Sequence, residues 1–93
     1  MKIKDNRDLK KMYKVKTDNK MRWFGDTDLD KKVIRVNRKR SRKSGRPGEV
    51  LDTIVHEVQH AKHPRMSESG VRKKTVKVIK NLTKRQKKSY YNL

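Results

Sequence analysis

The sequence contains no cysteine and is poor in apolar residues. With no cysteine among 93 residues, disulfides, thiolate zinc sites and cysteine nucleophiles are excluded together. Hydrophobic residues make up 30% of the chain and aromatic residues 5%, so we expect a single domain over residues 1–93 with one small core. Anything that supplements so small a core must be a metal site without thiolate ligands, or a partner.

Long apolar runs are also lacking. No run approaches the roughly 18 residues that a membrane span needs, and the segment MKIKDNRDLKK has no apolar stretch like that of a signal peptide. We therefore expect no membrane partner and a cytoplasmic rather than a secreted protein. The sequence gives no indication of the oligomeric state.

Acidic residues are scarce and unevenly placed. The chain has 10 Asp and Glu against 29 Lys and Arg, for a net charge of +19. Residues 31–48 hold nine cations and no carboxylate, and residues 69–93 do the same. Self-repulsion on this scale favours a polyanionic partner, with nucleic acid as the leading candidate. The alternative is a solvated basic face without a partner.

The densest cationic run is RKRSRKSGR at residues 38–46. Its serine and glycine content predicts a flexible basic loop that can contact phosphates. The candidate contact residues are Arg38, Lys39, Arg40, Arg42, Lys43 and Arg46. Exposed aromatic side chains can stack on bases, although such residues more often fill cores. The candidates for either role are Tyr13, Trp23, Tyr90 and Tyr91.

Three short segments in the first half carry β-branched or aromatic residues. They are Met12–Thr17, Met21–Phe24 and Lys32–Val36, with turn-like stretches at 18–20 and 25–30 between them. This spacing predicts a small antiparallel meander of about three strands.

The spacing of the apolar residues changes from a strand-like to a helical period in the second half of the chain. Apolar residues from Val50 to Ala61 recur with helical spacing, and Pro64 ends the predicted helix. Ser67 is a good N-cap for a second, basic helix that runs to about Leu82, and residues 83–93 either extend it or fray. Strands followed by helices indicate an α+β fold with helices packed on a small sheet.

All three histidines lie within eight residues, in the sequence HEVQHAKH. His56, Glu57 and His60 form an HExxH motif, for which this composition gives a chance expectation of roughly 0.003 matches. On a helix, His56 and His60 lie one turn apart on one face, so both imidazoles can bind one Zn²⁺ ion. Glu57 is then placed to accept a proton from water. The alternative is a surface helix turn with solvated histidines.

The third ligand is open between two residues. His63 lies about 10 Å along a straight helix from His56, so it can bind the same ion only if the helix end is distorted. Glu68, just after the break at Pro64, would complete a His₂Glu set with one open position, as in catalytic zinc sites. Asp52 lies one turn before His56 and either orients that imidazole as an acceptor or is simply solvated.

The stretch HEVQHAKHPRMSE, together with the preceding DTDLDKKVIRVN, resembles small phage and bacterial zincin-type metallopeptidases, including SprT-like and ImmA-like relatives. The resemblance covers about half of the chain, from Asp26 to Val71. It implies zinc binding by His56, His60 and Glu68, with Glu57 as the general base or acid. The substrate would be a peptide laid along the edge strand of the sheet. SprT-like members commonly use a further downstream histidine, which this chain lacks.

Two functions are therefore expected from the sequence. The first is a minimal zinc peptidase acting on protein or peptide substrates, among them proteins associated with nucleic acid or with a virion. The second is a basic nucleic-acid-binding or virion-associated structural protein whose zinc site is a folding staple. If the chain is phage-encoded, its place is the host cytoplasm or the virion.

Overall fold

A computed structural model of the protein describes residues 3–43 and 49–93. Within these ranges the chain forms five helices and three strands, so the predicted α+β class is confirmed. No helix in the described ranges is both long and apolar enough to cross a membrane. The elements in chain order are α1 (Asn6–Met12), β1 (Lys14–Thr17), β2 (Gly25–Asp28), β3 (Val33–Val36), α2 (Arg38–Lys43), α3 (Glu49–Lys62), α4 (Glu68–Lys80) and α5 (Lys84–Tyr91).

The sheet is mixed, with strand order β1-β3-β2. β3 is parallel to β1, with Ile34 opposite Val15, and antiparallel to β2, with Ile34 also opposite Thr27. The predicted antiparallel meander is therefore wrong. After β1 the chain crosses to the far side of the sheet, and β3 then inserts between the two earlier strands. This order leaves β2 as an outer strand.

The second strand also lies later than predicted. The segment Met21–Phe24 is not a strand, and Gly25–Asp28, predicted as a turn, is β2. Asp26 on β2 is opposite Arg35 on β3 and accepts hydrogen bonds from its Nε, at 2.8 Å, and from its Nη2. This pairing with the Arg35 guanidinium holds the pKa of the Asp26 carboxyl below its usual value. The cross-strand pair with Arg35 offsets the charge of Asp26, which helps this polar segment to form a strand.

The predicted flexible loop at 38–46 is wrong where the structure describes it, because Arg38–Lys43 is the helix α2. The buried Asn37 caps this helix by accepting a hydrogen bond from the Arg40 backbone N–H at 2.9 Å. Asn37 also donates from Nδ2 to the Met21 carbonyl at 2.8 Å, which holds the segment before β2 in place. The hydroxyls of Ser41 and Thr53, 3.0 Å apart, join α2 to α3.

The core lies between α3 and the sheet. Buried apolar residues include Leu9, Tyr13, Ile34, Val36, Leu51, Ile54, Val55, Val58, Ala61 and Tyr90. Val71 of α4 is also fully buried. The four aromatic residues considered for base stacking or for the core fall into two pairs. Tyr13 and Tyr90 are buried in the core, whereas Trp23 and Tyr91 are exposed. Residues 84–91 form a separate helix, α5, and neither extend α4 nor fray.

Gly25 allows β2 to approach α3 closely. A Cβ atom at this position would lie 2.8 Å from the Arg35 carbonyl oxygen and 3.2 Å from Glu57 Cγ. We expect Gly25→Ala to destabilise the protein by about 1–3 kcal/mol, because the backbone of β3 cannot move aside. Urea unfolding at equilibrium measures the change.

Gly70→Ala is the matched control for this prediction. A Cβ at Gly70 would meet mainly the Met66 side chain, whose Cγ lies 2.7 Å away and which can rotate. Because alanine favours the helix by up to about 1 kcal/mol over glycine, this variant should be nearly neutral or more stable. Equal destabilisation by both substitutions would contradict the close approach of β2 to α3.

Candidate metal centre

His56 and His60 lie one turn apart on α3, on the face that adjoins α4. Both imidazoles direct Nε2 toward the same point, and these two atoms are 3.2 Å apart. Burial lowers the pKa of His56, an effect that the nearby Glu68 carboxylate only partly offsets. The neutral imidazole, which is the form that binds a metal, is therefore favoured at His56 near pH 7.

Glu68 reaches the two histidines because the chain turns back sharply after α3. The Met66 backbone N–H donates to the His63 carbonyl at 3.0 Å, which closes a tight turn around Pro64. Ser67 then caps α4 by accepting a hydrogen bond from the Gly70 backbone N–H at 3.1 Å. Glu68 is consequently the first residue of α4 and faces α3.

Each carboxylate oxygen of Glu68 contacts one imidazole. Oε1 lies 2.8 Å from His56 Nε2, and Oε2 lies 3.0 Å from His60 Nε2. Partial burial acts to raise the pKa of Glu68, but the charges and hydrogen bonds of the two histidines outweigh it and hold the pKa below its usual value. Ligand atoms of a tetrahedral zinc site lie about 3.3 Å apart. The three ligand atoms of His56, His60 and Glu68 lie within 4.8 Å of one another, near enough for one ion to reach all three.

The donor set of His56, His60 and Glu68 fits zinc. Two imidazole nitrogens with one carboxylate are a common ligand set of catalytic zinc, whereas Mg²⁺ and Ca²⁺ prefer oxygen ligands. In the described part of the chain, the group that could hold a metal ion consists of these three residues. His63 is not in it. Of the two candidates that the sequence left open for the third ligand, the structure brings Glu68 to the histidine pair.

Glu57 lies beside the first histidine but points toward the sheet. Its side chain is buried, with 7% of its surface exposed. The Thr27 hydroxyl on β2 lies 2.9 Å from Glu57 Oε1 and 3.0 Å from the Glu57 main-chain oxygen. Thr27 therefore links the outer strand to both the side chain and the main chain of Glu57. Nothing in the sequence points to Thr27, since a threonine within GDTD belongs to no motif.

The electrostatic surroundings of Glu57 disfavour its charged form. Burial raises its pKa from 4.5 to about 7, the hydrogen bond from Thr27 opposes this, and the negative charges of Asp26 and Glu68 add to the rise. A carboxyl group with a pKa near neutrality can both accept and release a proton at physiological pH.

Asp52 lies in the first half of α3, one turn before His56. Its charge acts to raise the pKa of His56, although less than the effects of burial and of Glu68. Among the described residues, no hydrogen bond joins Asp52 to His56. Asp52 therefore acts on this histidine through its charge and does not orient the imidazole by a direct bond.

An open cleft of about 690 Å³ leads to the histidines, Glu57 and Glu68. Its rim is apolar, since Trp23 and Phe24 have 55% and 42% of their surface exposed and both line the cleft. The chain has one tryptophan and one phenylalanine, and both lie at this rim rather than in the core. Leu29 and Val76 extend the apolar rim, and Arg72 is the single Lys or Arg among the described lining residues.

The cations predicted to contact nucleic acid at 38–46 are partly engaged within the chain. Arg38 donates from Nε to the Thr17 hydroxyl and from Nη2 to the Tyr91 carbonyl, at 3.1 Å each. The Arg40 guanidinium lies 5.6 Å from the centre of the Phe24 ring. Lys39 and Arg42 are exposed on α2, whereas Arg46 and the side chain of Lys43 lie outside the described residues.

No family model, no curated protein and no solved structure matches this chain. The case for its function therefore depends on the geometry of the residues themselves.

Proposed function

We propose that this protein is a zinc-dependent peptidase that hydrolyses peptide bonds in extended polypeptides. The observation that carries the proposal is the combination of a His₂Glu cluster with a buried carboxyl, Glu57, at the wall of one open cleft. A zinc ion held by His56, His60 and Glu68 would act as a Lewis acid toward a carbonyl group of the substrate.

The proton transfers in this proposal belong to Glu57. As the carboxylate, Glu57 accepts a proton from the water that adds to the scissile carbonyl. As the acid, it gives that proton to the amide nitrogen when the C–N bond breaks. The Thr27 hydroxyl can donate to the carboxylate oxygen in the first state and to the Glu57 main-chain oxygen in the second. Thr27 thus keeps a hydrogen bond to Glu57 in both states, to the side chain in the first and to the main chain in the second.

The outer strand β2 supports a polypeptide as the substrate. Because β2 pairs only with β3 among the described strands, its other edge can hydrogen-bond an extended peptide in the manner of an added strand. Trp23, Phe24 and Leu29 flank β2 in the sequence and line the cleft, so they would favour large apolar side chains near the cleaved bond.

The test is hydrolysis of an unfolded protein substrate by the purified chain loaded with zinc. We expect cleavage that a chelator abolishes and that added zinc restores. Peptide products identified by mass spectrometry would have large apolar residues next to the cut. Stoichiometric zinc binding without any cleavage of unfolded polypeptides would contradict the proposal.

The alternative is a basic structural protein in which the zinc site stabilises the fold. The position of the cluster supports it. His56, His60 and Glu68 join α3 to α4 across the short connection at 63–67, and a metal ion there would stabilise this joint. The alternative predicts that chelation unfolds the protein, whereas the peptidase requires only loss of activity. Circular dichroism before and after chelation separates the two.

Thr27 provides a further test of the role of Glu57. Thr27→Val keeps the side-chain shape but removes the hydroxyl that donates to Glu57. We expect turnover to fall by about 10- to 100-fold, since a misplaced catalytic group costs this much. Because the lost hydrogen bond lowers the pKa of Glu57, the acidic limb of the rate profile should move to higher pH.

Thr27→Ser is the matched control, because it restores the hydroxyl and should restore both the rate and the pH profile. Zinc affinity should be unchanged in both variants. A Thr27→Val protein with wild-type turnover and an unshifted profile would show that Glu57 does not depend on this contact.

A further inference from the structure

The outer face of α4 carries a stripe of three lysines. Lys73, Lys77 and Lys80 follow one another at helical spacing, so they share one side of the helix, and all three are exposed. The opposite side packs inward through Val71 and Thr75, which are buried. The lysine stripe therefore faces away from the core.

The next helix, α5, is also strongly basic, although the placement of its cations disfavours helix formation. α5 has the sequence KRQKKSYY and begins with Lys84 and Arg85, at the end of a helix where the dipole disfavours cations. Lys84 and Lys88 are four residues apart on one face, a spacing at which like charges repel.

Contacts with the rest of the protein hold α5 in place despite this repulsion. A capping box formed by Thr83 and Gln86 closes its first turn. Its last turn is anchored by the buried Tyr90 and by the hydrogen bond from Arg38 to the Tyr91 carbonyl. Asn6 of α1 also donates to the Ser89 hydroxyl at 3.1 Å. A helix that is held in place by tertiary contacts, although its charge pattern disfavours it locally, is typical of a functional surface.

These cations have few counter-charges among the residues that the structure describes. Residues 69–93 contain nine Lys and Arg and no carboxylate. Within the described ranges, the one ion pair made by any of them joins Arg72 to Glu68 at 3.7 Å. The remaining eight charges are therefore left for an external anion.

We propose that the exposed lysine stripe of α4 and the exposed cations of α5, together called here the α4–α5 face, bind the phosphate backbone of nucleic acid without sequence preference. Seven of the nine cations in residues 69–93 are lysines, which bind phosphates as point charges and do not match the forked geometry that reads guanine.

A membrane surface fits this face poorly. A helix that lies on a bilayer needs an exposed apolar side between its cations. Here Val71 and Tyr90 are buried and Val76 lines the cleft, so α5 offers the exposed Tyr91 alone and no continuous apolar side. The phosphate-rich partner that remains is a nucleic acid, whose dense and regular charge suits a row of lysines.

The test compares two triple variants with the same loss of charge. The first carries Lys73→Gln, Lys77→Gln and Lys80→Gln on the α4–α5 face. The control changes three exposed lysines on and beside β1, and its substitutions are Lys14→Gln, Lys16→Gln and Lys20→Gln. Affinity for a short fluorescent duplex DNA is measured by anisotropy over a range of salt concentrations.

We expect the first variant to lose about 100-fold in affinity at about 0.1 M salt and its salt slope to fall by about 2.7, the value for three phosphate contacts. The control should lose less than about 3-fold. Equal losses in both variants would show a diffuse charge effect and overturn the assignment to this face. So would an affinity that does not depend on salt, or binding to anionic vesicles but not to DNA.

Two further readouts keep the result independent of the proposed peptidase activity. Both variants should unfold at the wild-type urea concentration and bind zinc as the wild type does, since the changed lysines lie outside the core and the metal cluster. DNA binding is measured without any turnover, so it can fail while the peptidase proposal stands, and the reverse also holds.

Discussion

Glu57→Gln should abolish peptide hydrolysis and, at pH 8, stabilise the metal-free protein. The loss of turnover is expected to be about 1000-fold, because the variant can neither accept a proton from water nor return one to the leaving amine. Zinc affinity should remain close to that of the wild type, since Glu57 is not among the three candidate ligands. Cleavage assays and zinc titration of the same preparation measure both quantities.

The gain in stability follows from the buried carboxyl. In the folded metal-free protein the pKa of Glu57 is raised from 4.5 to about 7, so the folded state holds its proton to higher pH than the unfolded chain does. The stability that this provides is complete below pH 4.5 and is lost as the pH rises through 7, by about 3 kcal/mol in all. Glutamine is neutral throughout, and Thr27 can still donate to its amide oxygen.

Urea unfolding at pH 5 and at pH 8 measures this difference. The difference in stability should be much smaller at pH 5 than at pH 8, where the variant should be the more stable protein. Glu68→Gln is the control, because the pKa of Glu68 is lowered in the folded state, and its neutralisation should bring no gain at pH 8. A Glu57→Gln protein that is no more stable than the wild type at pH 8 would contradict the burial of a charged carboxylate here.

Replacing Glu68 by alanine should weaken zinc binding far more than replacing His63. Loss of a group that only orients a ligand costs 10- to 100-fold in metal affinity, and we expect the loss of a direct ligand to exceed about 100-fold. His63→Ala should change the affinity by less than about 3-fold, because His63 lies outside the cluster. Competition with a chromogenic chelator measures these affinities.

The comparison separates the two candidates for the third ligand directly. His60→Ala serves as the positive control, with a loss comparable to that of Glu68→Ala. A large loss in His63→Ala together with a small one in Glu68→Ala would assign the third position to His63 and contradict the arrangement described above. Since all three changes remove side chains near the end of α3, far-ultraviolet circular dichroism should accompany each titration.

The sequence was most informative where structure is local. Helical periodicity places His56 and His60 on one face whatever surrounds them, and a break at Pro64 brings the next carboxylate, Glu68, within reach. These inferences need only the geometry of one helix and one turn. The α+β class is predictable for the same reason, because the apolar spacing changes from strand-like in the first half of the chain to helical in the second.

Features that depend on distant contacts escaped the sequence analysis. The strand Gly25–Asp28 has little β propensity and exists because Asp26 meets Arg35 across the ladder and Asn37 fixes the preceding segment. The helix Arg38–Lys43 looks like a polar loop until the buried Ser41 is paired with Thr53 of α3. The parallel pairing of β1 with β3, and the contact of Thr27 with Glu57, likewise exist only once the sheet is assembled.

The composition of the outer strand has a consequence for how the protein behaves among copies of itself. An open strand edge is normally a site at which identical chains stick together. Here the edge strand is only four residues long and carries the exposed Asp28, so two copies aligned edge to edge would form few hydrogen bonds and would desolvate this carboxylate. The same edge that can receive a foreign polypeptide thus discourages self-association, and we expect concentrated solutions to resist fibril formation.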